Sequence, residues 1–373
     1  MGRPLVPPVV LASTFAFDDT AGMAASVPGK GQVPEPGDPL YTRWSNPTAR
    51  AVEERIAALE GAEGAWVTGS GMGAIHTALM VGHVLRAGPM LVQNEVYGGT
   101  SELVDGVFPL LAVDVHRAPV DGLVRAAGTL SPTTILAELP SNPLLRVVDL
   151  AALRAAAPGA TIIVDATFAT PLNCRPLDHG ADVVVHSASK YLGGHHDLVA
   201  GVLSTSGERL RLAWRLRKLF GPTLDPAACY RLWRGLETLD LRVRHQNASG
   251  RAIAARLAEH PRVLRVHHTS RPDHPDHAVA ARLLSAGGGV LSFDFDGSAA
   301  ALSDRLERFR VAPSLGGAHS LVTWPNAVTH AGLSPQEQAA AGLGGGLVRL
   351  ALGLEDVDSL WSDLTQALDQ SGT

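Results

Sequence analysis

One run of the sequence gathers an amine and two hydroxyls just beyond an apolar stretch: Val184-Val185-His186-Ser187-Ala188-Ser189-Lys190-Tyr191-Leu192-Gly193-Gly194. Lys190 can form an imine with an aldehyde, and Ser187 and Ser189 can donate hydrogen bonds to a phosphate. A surface lysine in a polar loop has the same local pattern, so this run alone leaves both readings open. The lysine count adds weight, because of 31 Lys and Arg residues only Lys30, Lys190 and Lys218 are lysine. Arginine stays protonated and cannot replace lysine in imine chemistry, so each retained lysine needs a chemical or a compositional reason. An acid ends the preceding apolar run, Thr161-Ile162-Ile163-Val164-Asp165. Burying that carboxylate is costly unless a cation or a donor meets it. A pyridinium nitrogen would serve; a cap on the following turn is the other reading.

Two further segments belong with these. Thr68-Gly69-Ser70-Gly71-Met72-Gly73-Ala74 joins an apolar run to a helical pattern, so its backbone N–H groups can face an anion at a helix start. It has neither the spacing of a dinucleotide fingerprint nor the Gly-Lys-Ser/Thr ending of a nucleotide loop. Tyr97, beside Gly98-Gly99, can stack on a flat ring or serve as a core aromatic next to a turn. His195, His196 and Asp197 suggest a metal, but adjacent side chains on an extended segment point to opposite sides, so no metal site is expected.

These residues need a scaffold, and the pattern supplies one. Apolar strands are expected at 65–68, 90–92, 134–138, 161–165, 182–186 and 198–202, with helices at 72–87, 148–157 and 207–219 between them. Continuous apolar strands alternating with helices predict an α/β fold with a mostly parallel sheet covered on both faces, which binds ligands beyond the carboxyl ends of its strands. Asn46-Pro47 starts a helix that runs from Thr48 to Glu60 and stops at Gly61. Residues 1–45, rich in Pro and Gly and including Pro34-Glu35-Pro36-Gly37-Asp38-Pro39, read as an extended arm. Residues 46–235 form the large domain. Residues 236–373 form a smaller α/β domain, with a long helix, a strand-like 288–293, a charged helix at 301–309 and a strand at 347–350.

Composition narrows the function. With 46% apolar and 18% charged residues, most of the 373-residue chain has what it needs to build a core. A net charge of −5 without blocks of either sign argues against nucleic acid as a partner. No apolar run reaches about 18 residues, so no membrane span is expected. The first twelve residues make a poor signal peptide. Cys174 and Cys229 are too few for a disulfide framework and fit a reducing, cytoplasmic setting.

Seven segments in this order resemble one family. They are Tyr41-Thr42-Arg43-Trp44-Ser45-Asn46-Pro47-Thr48, Gly69-Ser70-Gly71-Met72, Asn94-Glu95-Val96-Tyr97-Gly98-Gly99-Thr100, Pro140-Ser141-Asn142-Pro143, Asp165-Ala166-Thr167-Phe168-Ala169-Thr170-Pro171, His186 through His195, and Ser314-Leu315-Gly316-Gly317. The chain resembles the cystathionine γ-synthase, cystathionine γ-lyase and methionine γ-lyase group of Cys/Met-metabolism enzymes, which carry pyridoxal phosphate (PLP) on the type I aminotransferase-like fold. The resemblance implies that Lys190 holds the PLP aldehyde, Asp165 faces the pyridine nitrogen and Tyr97 stacks on the ring. It places Gly71, Met72, Ser187 and Ser189 around the phosphate, with Tyr41 and Arg43 reaching that phosphate from a neighbouring subunit. Asn142, Ser320 and Arg349 match positions near the cofactor or the substrate carboxylate. It further implies a homotetramer built from dimers that share active sites.

The activity implied first is cystathionine γ-lyase-like cleavage of the Cγ–S bond of cystathionine or a related sulfur amino acid. Cystathionine γ-synthase-like replacement of an acylated homoserine by a thiol comes second. Methionine γ-lyase or β-lyase activity, and a catalytically silent PLP-binding structural protein, are further alternatives. The sequence departs from the family at His319-Ser320-Leu321, where Glu-Ser-Leu is common, which replaces by an imidazole the carboxylate suited to cystathionine's distal ammonium. Gly99 stands where methionine γ-lyases typically have cysteine, which turns against that activity. The usual His-x-Gly-containing N-terminal helix has no match.

Overall fold

The structure is a computed structural model that describes residues 4–29, 39–328, 336, 338 and 342–370. Lys30 and residues 34–38 of the Pro- and Gly-rich segment lie outside the described residues.

A seven-stranded sheet carries the first half of the chain. Its strands are β1 (Gly64–Thr68), β2 (Met90–Gln93), β3 (Val115–Ala118), β4 (Thr134–Glu138), β5 (Thr161–Asp165), β6 (Val183–His186) and β7 (Gly201–Thr205). They lie in the order β1-β7-β6-β5-β4-β2-β3, and only β7 runs antiparallel to its neighbours. Strands β4 and β5 are buried along their whole length, as continuous apolar runs demand when both faces are covered. Alternate residues serve opposite faces. Val92, Leu136, Ile163 and Val185 pack against Ile75 and Leu79 of helix Gly71–Leu85 and Trp214 of helix Gly207–Phe220. Leu91, Ile135, Ile162 and Val184 pack against Leu123, Leu150 and Leu153 of helices Val120–Leu130 and Leu150–Ala156. Each fully buried Leu or Ile contributes roughly 1.5–3 kcal/mol, so these two layers fix where the strands end.

The second sheet joins β8 (Val263–His267), β9 (Val290–Phe295), β10 (Arg310–Val311), β11 (Leu321–Thr323) and β12 (Leu347–Ala351) in the order β10-β11-β12-β9-β8. Helices Leu239–Glu259 and Val357–Gln370 cover it through Ile253, Leu257, Leu360 and Leu364.

Several local expectations shift. The strand expected at 198–202 is shifted to Gly201–Thr205; at Gly201 a Cβ would stand 2.1 Å from the Ser70 carbonyl oxygen, a closeness that only glycine allows. The charged helix stops at Arg305 instead of 309, since Asp363 draws the Glu307 and Arg308 N–H groups onto its carboxylate (3.0 and 2.8 Å) and Phe309 is buried. The arm contains a short helix, Thr20–Ala25, capped by the Asp19 carboxylate and burying nothing. Residues 8 and 10 of the arm are clamped to the first long helix, Pro47–Glu60: Thr48 Oγ1 donates to Pro8 O (2.8 Å) and accepts from Val10 N (2.9 Å), and Asn46 Nδ2 donates to Val10 O (3.0 Å). That helix begins and ends as expected, with the Asn46 side chain capping Thr48 N and Gly61 at φ 67° closing it.

Candidate active site

The carboxyl ends of β4, β5 and β6 deliver Glu138, Asp165 and the turn Ser187–Lys190 to one cavity of about 550 Å³. Across it stands Arg349, carried by β12 of the second sheet. Gly71 and Met72 open the helix that packs beneath the parallel strands, and Tyr97 and Asn142 complete the wall. Residues nearly 300 positions apart in sequence thus converge at the strand ends, where such sheets bind ligands.

Lys190 Nζ donates to Ser314 Oγ at 2.9 Å. Burial, helped by the charge of Arg349, pulls its pKa below the ordinary lysine value and favours the free amine. Lys218 behaves differently: its Nζ sits 4.3 Å from the ring centroids of both Trp44 and Trp214, a structural cation–π contact outside the cavity. Asp165 Oδ1 accepts from Thr167 N (2.9 Å) and Thr167 Oγ1 (2.6 Å), and that hydroxyl accepts from Ser187 N at 2.8 Å. The carboxylate therefore caps the next turn and also borders the cavity. Burial raises its pKa despite the Thr167 bonds, which leaves an acid that a cation would stabilise.

The helix start is shaped for an anion. Ser70 Oγ takes Gly73 N at 3.0 Å, while the first-turn N–H groups of Gly71 and Met72 have no acceptor within the helix. A Cβ on Gly71 would lie 2.9 Å from Ser187 Cβ, so only glycine keeps the cradle open. Ser189 borders the same space, its Oγ donating to Ala200 O (3.2 Å) and accepting from Ala200 N (2.9 Å).

Arg349 is 3% exposed, and burial lowers its pKa to about 10. Its Nη1 donates to Asn142 Oδ1 (2.6 Å) and its Nη2 to Ser314 O (3.2 Å), while its buried Nε has no partner. Among the described residues no carboxylate lies within ion-pair distance of it, so a guanidinium is held in the wall with donor capacity to spare.

Three expected site residues stand elsewhere. Ser320 Oγ donates to Glu355 Oε2 (2.7 Å) and accepts from Gly353 N (2.9 Å), and the residue does not line the cavity. Tyr41 pairs with Thr14 of the arm and is 40% exposed. Arg43 lies over the Tyr41 ring, 5.4 Å from its centroid, and donates to Lys218 O at 2.7 Å. Neither lines this chain's own cavity. His195 Nδ1 meets Gly193 O (2.8 Å), whereas the His196 ring stacks on His319 at 6.4 Å, so the two rings serve separate partners.

Sequence reasoning missed Glu138, Thr167 and Ser314. Glu138 had a signal, because it ends an apolar strand just as Asp165 does and is its register partner. Ser314 stands in one of the family segments, but its contact with Lys190 spans 124 residues and was not legible from that segment.

A buried amine of lowered pKa, a cation-seeking acid and an anion cradle fit the aldehyde, ring nitrogen and phosphate of PLP. The fold and the site together define a PLP-dependent enzyme of the aminotransferase-like type. The Cys/Met metabolism PLP-dependent enzyme family matches residues 3–369, and the chain belongs to it. It is 39% identical to O-succinylhomoserine sulfhydrylase of Pseudomonas aeruginosa over 363 residues, 95% of this chain and 89% of that protein. It is also 39% identical to L-methionine γ-lyase of Pseudomonas deceptionensis, covering 98% of this chain and 92% of that one. The crystal structure of cystathionine γ-synthase from Xanthomonas oryzae pv. oryzae, in complex with aminoacrylate and cysteine, superposes with a TM-score of 0.90 at 35% identity, covering 98% of this chain and 93% of that chain. The fold class and the cofactor expected from the sequence are borne out. No described helix is long and apolar enough to cross a membrane.

Proposed function

We propose that this enzyme breaks the bond between Cγ and sulfur in cystathionine or a related sulfur amino acid. One observation carries the reading: Arg349, with no acid partner, faces the same cavity as the amine of Lys190, so an α-carboxylate bound to the guanidinium sets the substrate's Cα beside a base.

Bound PLP supplies an electron sink for negative charge developing at Cα. Lys190 would hold the cofactor at rest, and with the substrate's carboxylate on Arg349 its Nζ would take the Cα proton as general base and move protons between carbons. Its lowered pKa keeps more of it in the base form. Asp165 would pair with the ring nitrogen and keep the sink electron-poor, Tyr97 would stack on the ring and assist the departing sulfur, and Gly71, Met72, Ser187 and Ser189 would hold the phosphate. Asn142 orients Arg349 through its 2.6 Å bond.

Tyr41 and Arg43 complete the phosphate site from a second copy of the chain. Their exposure, and their absence from the lining of this chain's own cavity, support that role; the same reading makes the protein a cytoplasmic homotetramer built from dimers. The same reading divides the chain into an arm at 1–45, a cofactor-binding domain at 46–235 and a smaller domain at 236–373.

Replacement of an acylated homoserine by a thiol is the second reading, favoured by the named sulfhydrylase and synthase relatives. Gly99 stands where methionine γ-lyases typically have cysteine, and a Cβ there would stand 2.8 Å from the Tyr97 ring, which would have to shift to admit one. Incubating the PLP-loaded enzyme with cystathionine and identifying the products tests the proposal. Cysteine with 2-oxobutyrate supports it. Homocysteine with pyruvate, or cystathionine formed from cysteine and an acylated homoserine without its cleavage, overturns it.

A further inference from the structure

Glu138 ends β4 directly beside Asp165, is 4% exposed and borders the cofactor cavity, yet the chemistry above leaves it without a task. Its Oε2 accepts the Tyr97 backbone N–H at 2.7 Å, a contact spanning 41 residues. The Tyr97 carbonyl accepts from Thr100 N (2.8 Å) and Ser101 N (3.1 Å), so Glu138 is the anchor of its N–H side. Tyr97 opens helix Gly98–Gly106 without a side-chain cap and is 49% exposed, so packing alone does not fix its phenol ring. The same strand end is tied again to this loop: Glu138 N donates to Gln93 Oε1 (3.2 Å), and Gln93 Nε2 donates to Glu95 O (2.9 Å). The loop that carries the ring is therefore referenced to the strand next to the one that carries Asp165.

We propose that Glu138 is a positioning residue whose side-chain oxygen pins the Tyr97 backbone, and so sets where the phenol stands over the cavity, through its acceptor atom and not through its charge. This rests on the reading that Tyr97 stacks on the cofactor ring. The surroundings supply the reason that charge is dispensable. Among the described residues no cation pairs with Glu138 within ion-pair distance, and Asp165 is its neighbour in register. Burial first, and the Asp165 charge second, drive its carboxyl well above the ordinary range, against the pull of the Tyr97 and Asn142 N–H groups and of Arg349.

Two variants separate reach from charge. Glu138→Gln keeps the length and an acceptor oxygen but removes the charge, whereas Glu138→Asp keeps the charge and withdraws it by one methylene, about 1.5 Å. Amide hydrogen exchange at Tyr97 in the apoprotein, with Val164 of β5 as internal reference, reports the contact, and fluorescence titration with PLP reports its consequence. For Glu138→Asp the expected result is about tenfold faster exchange at Tyr97 and about tenfold weaker PLP binding, the size of one lost hydrogen bond. Glu138→Gln recovers most of both. The opposite order, equal losses in both variants, or no change in either overturns the assignment. Should the Asp variant fail to fold, the Gln variant decides: retained protection at Tyr97 supports the proposal and lost protection refutes it. Exchange in the apoprotein involves no turnover, so failure here leaves Cγ–S cleavage untouched, and failure of that reaction leaves this contact standing.

Discussion

Replacing Arg349 by lysine tests carboxylate binding with the least collateral change. The positive charge stays, so the electrostatic help that Arg349 gives the Lys190 amine is preserved. The planar fork is lost, and with it the ability to grip a carboxylate with two parallel N–H groups. Hydrogen bonds to charged partners are worth about 1.5–3 kcal/mol each. Losing one arm and the alignment of the other in a site where Arg349 is 3% exposed comes to about 3 kcal/mol, or roughly 10²-fold in kcat/KM. The assay compares wild type and Arg349→Lys on a sulfur amino acid and on the amine that lacks its carboxylate. The amino acid loses roughly 10²-fold, and the amine changes by less than about threefold. The variant also strains the bonds to Asn142 Oδ1 and Ser314 O, so denaturation must show a loss of no more than about 1–3 kcal/mol in stability. Equal losses on the two substrates would refute the reasoning, because the arginine would then be serving the fold and not the carboxylate.

Three further outcomes follow from the same structure. In the apoprotein, PLP uptake followed by absorbance should rise with pH to a midpoint below the usual lysine value of about 10.4, and Arg349→Met should move that midpoint up; a midpoint at or above the usual value contradicts the burial argument. His268, buried between Ser270 Oγ (2.7 Å) and Gly288 O (3.2 Å), has its pKa lowered from 6.5 to about 4 by burial. The unfolded chain therefore binds more protons between those values, and stability falls by up to ~3 kcal/mol as pH drops from 6.5 to 4, a loss that His268→Asn should reduce in denaturant titrations. Inactive Lys190→Ala and Arg43→Ala chains, dissociated together and reassembled, should regain about a quarter of wild-type activity, because half of randomly paired dimers are mixed and each holds one intact site; no recovery would place Arg43 outside a shared site.

The sequence by itself determined the scaffold and its chemical centre. Continuous runs such as Thr161–Val164 have nowhere to go but a sheet buried on both faces, and a strand-end acid followed some 25 residues later by a lysine on the next strand's exit survives any register of packing. Helix limits at Asn46 and Gly61 were legible because caps are local hydrogen-bond chemistry. Tertiary structure decided whatever depends on pairing between distant segments. β7 shares only Gly201 and Val202 with the apolar run 198–202, and the close approach of the Ser70 carbonyl to Gly201 joins segments 131 residues apart. The bond from Lys190 to Ser314, the guanidinium held by Asn142 and the carboxyl of Glu138 under Tyr97 all join residues dozens to hundreds of positions apart. Ser320 shows the reverse, a plausible site hydroxyl taken up by Glu355 once the chain had folded. Periodicity and caps are short-range and repeat along the chain, whereas a polar side chain's partner is chosen by which atoms burial brings within about 3 Å of it, and sequence spacing does not encode that choice.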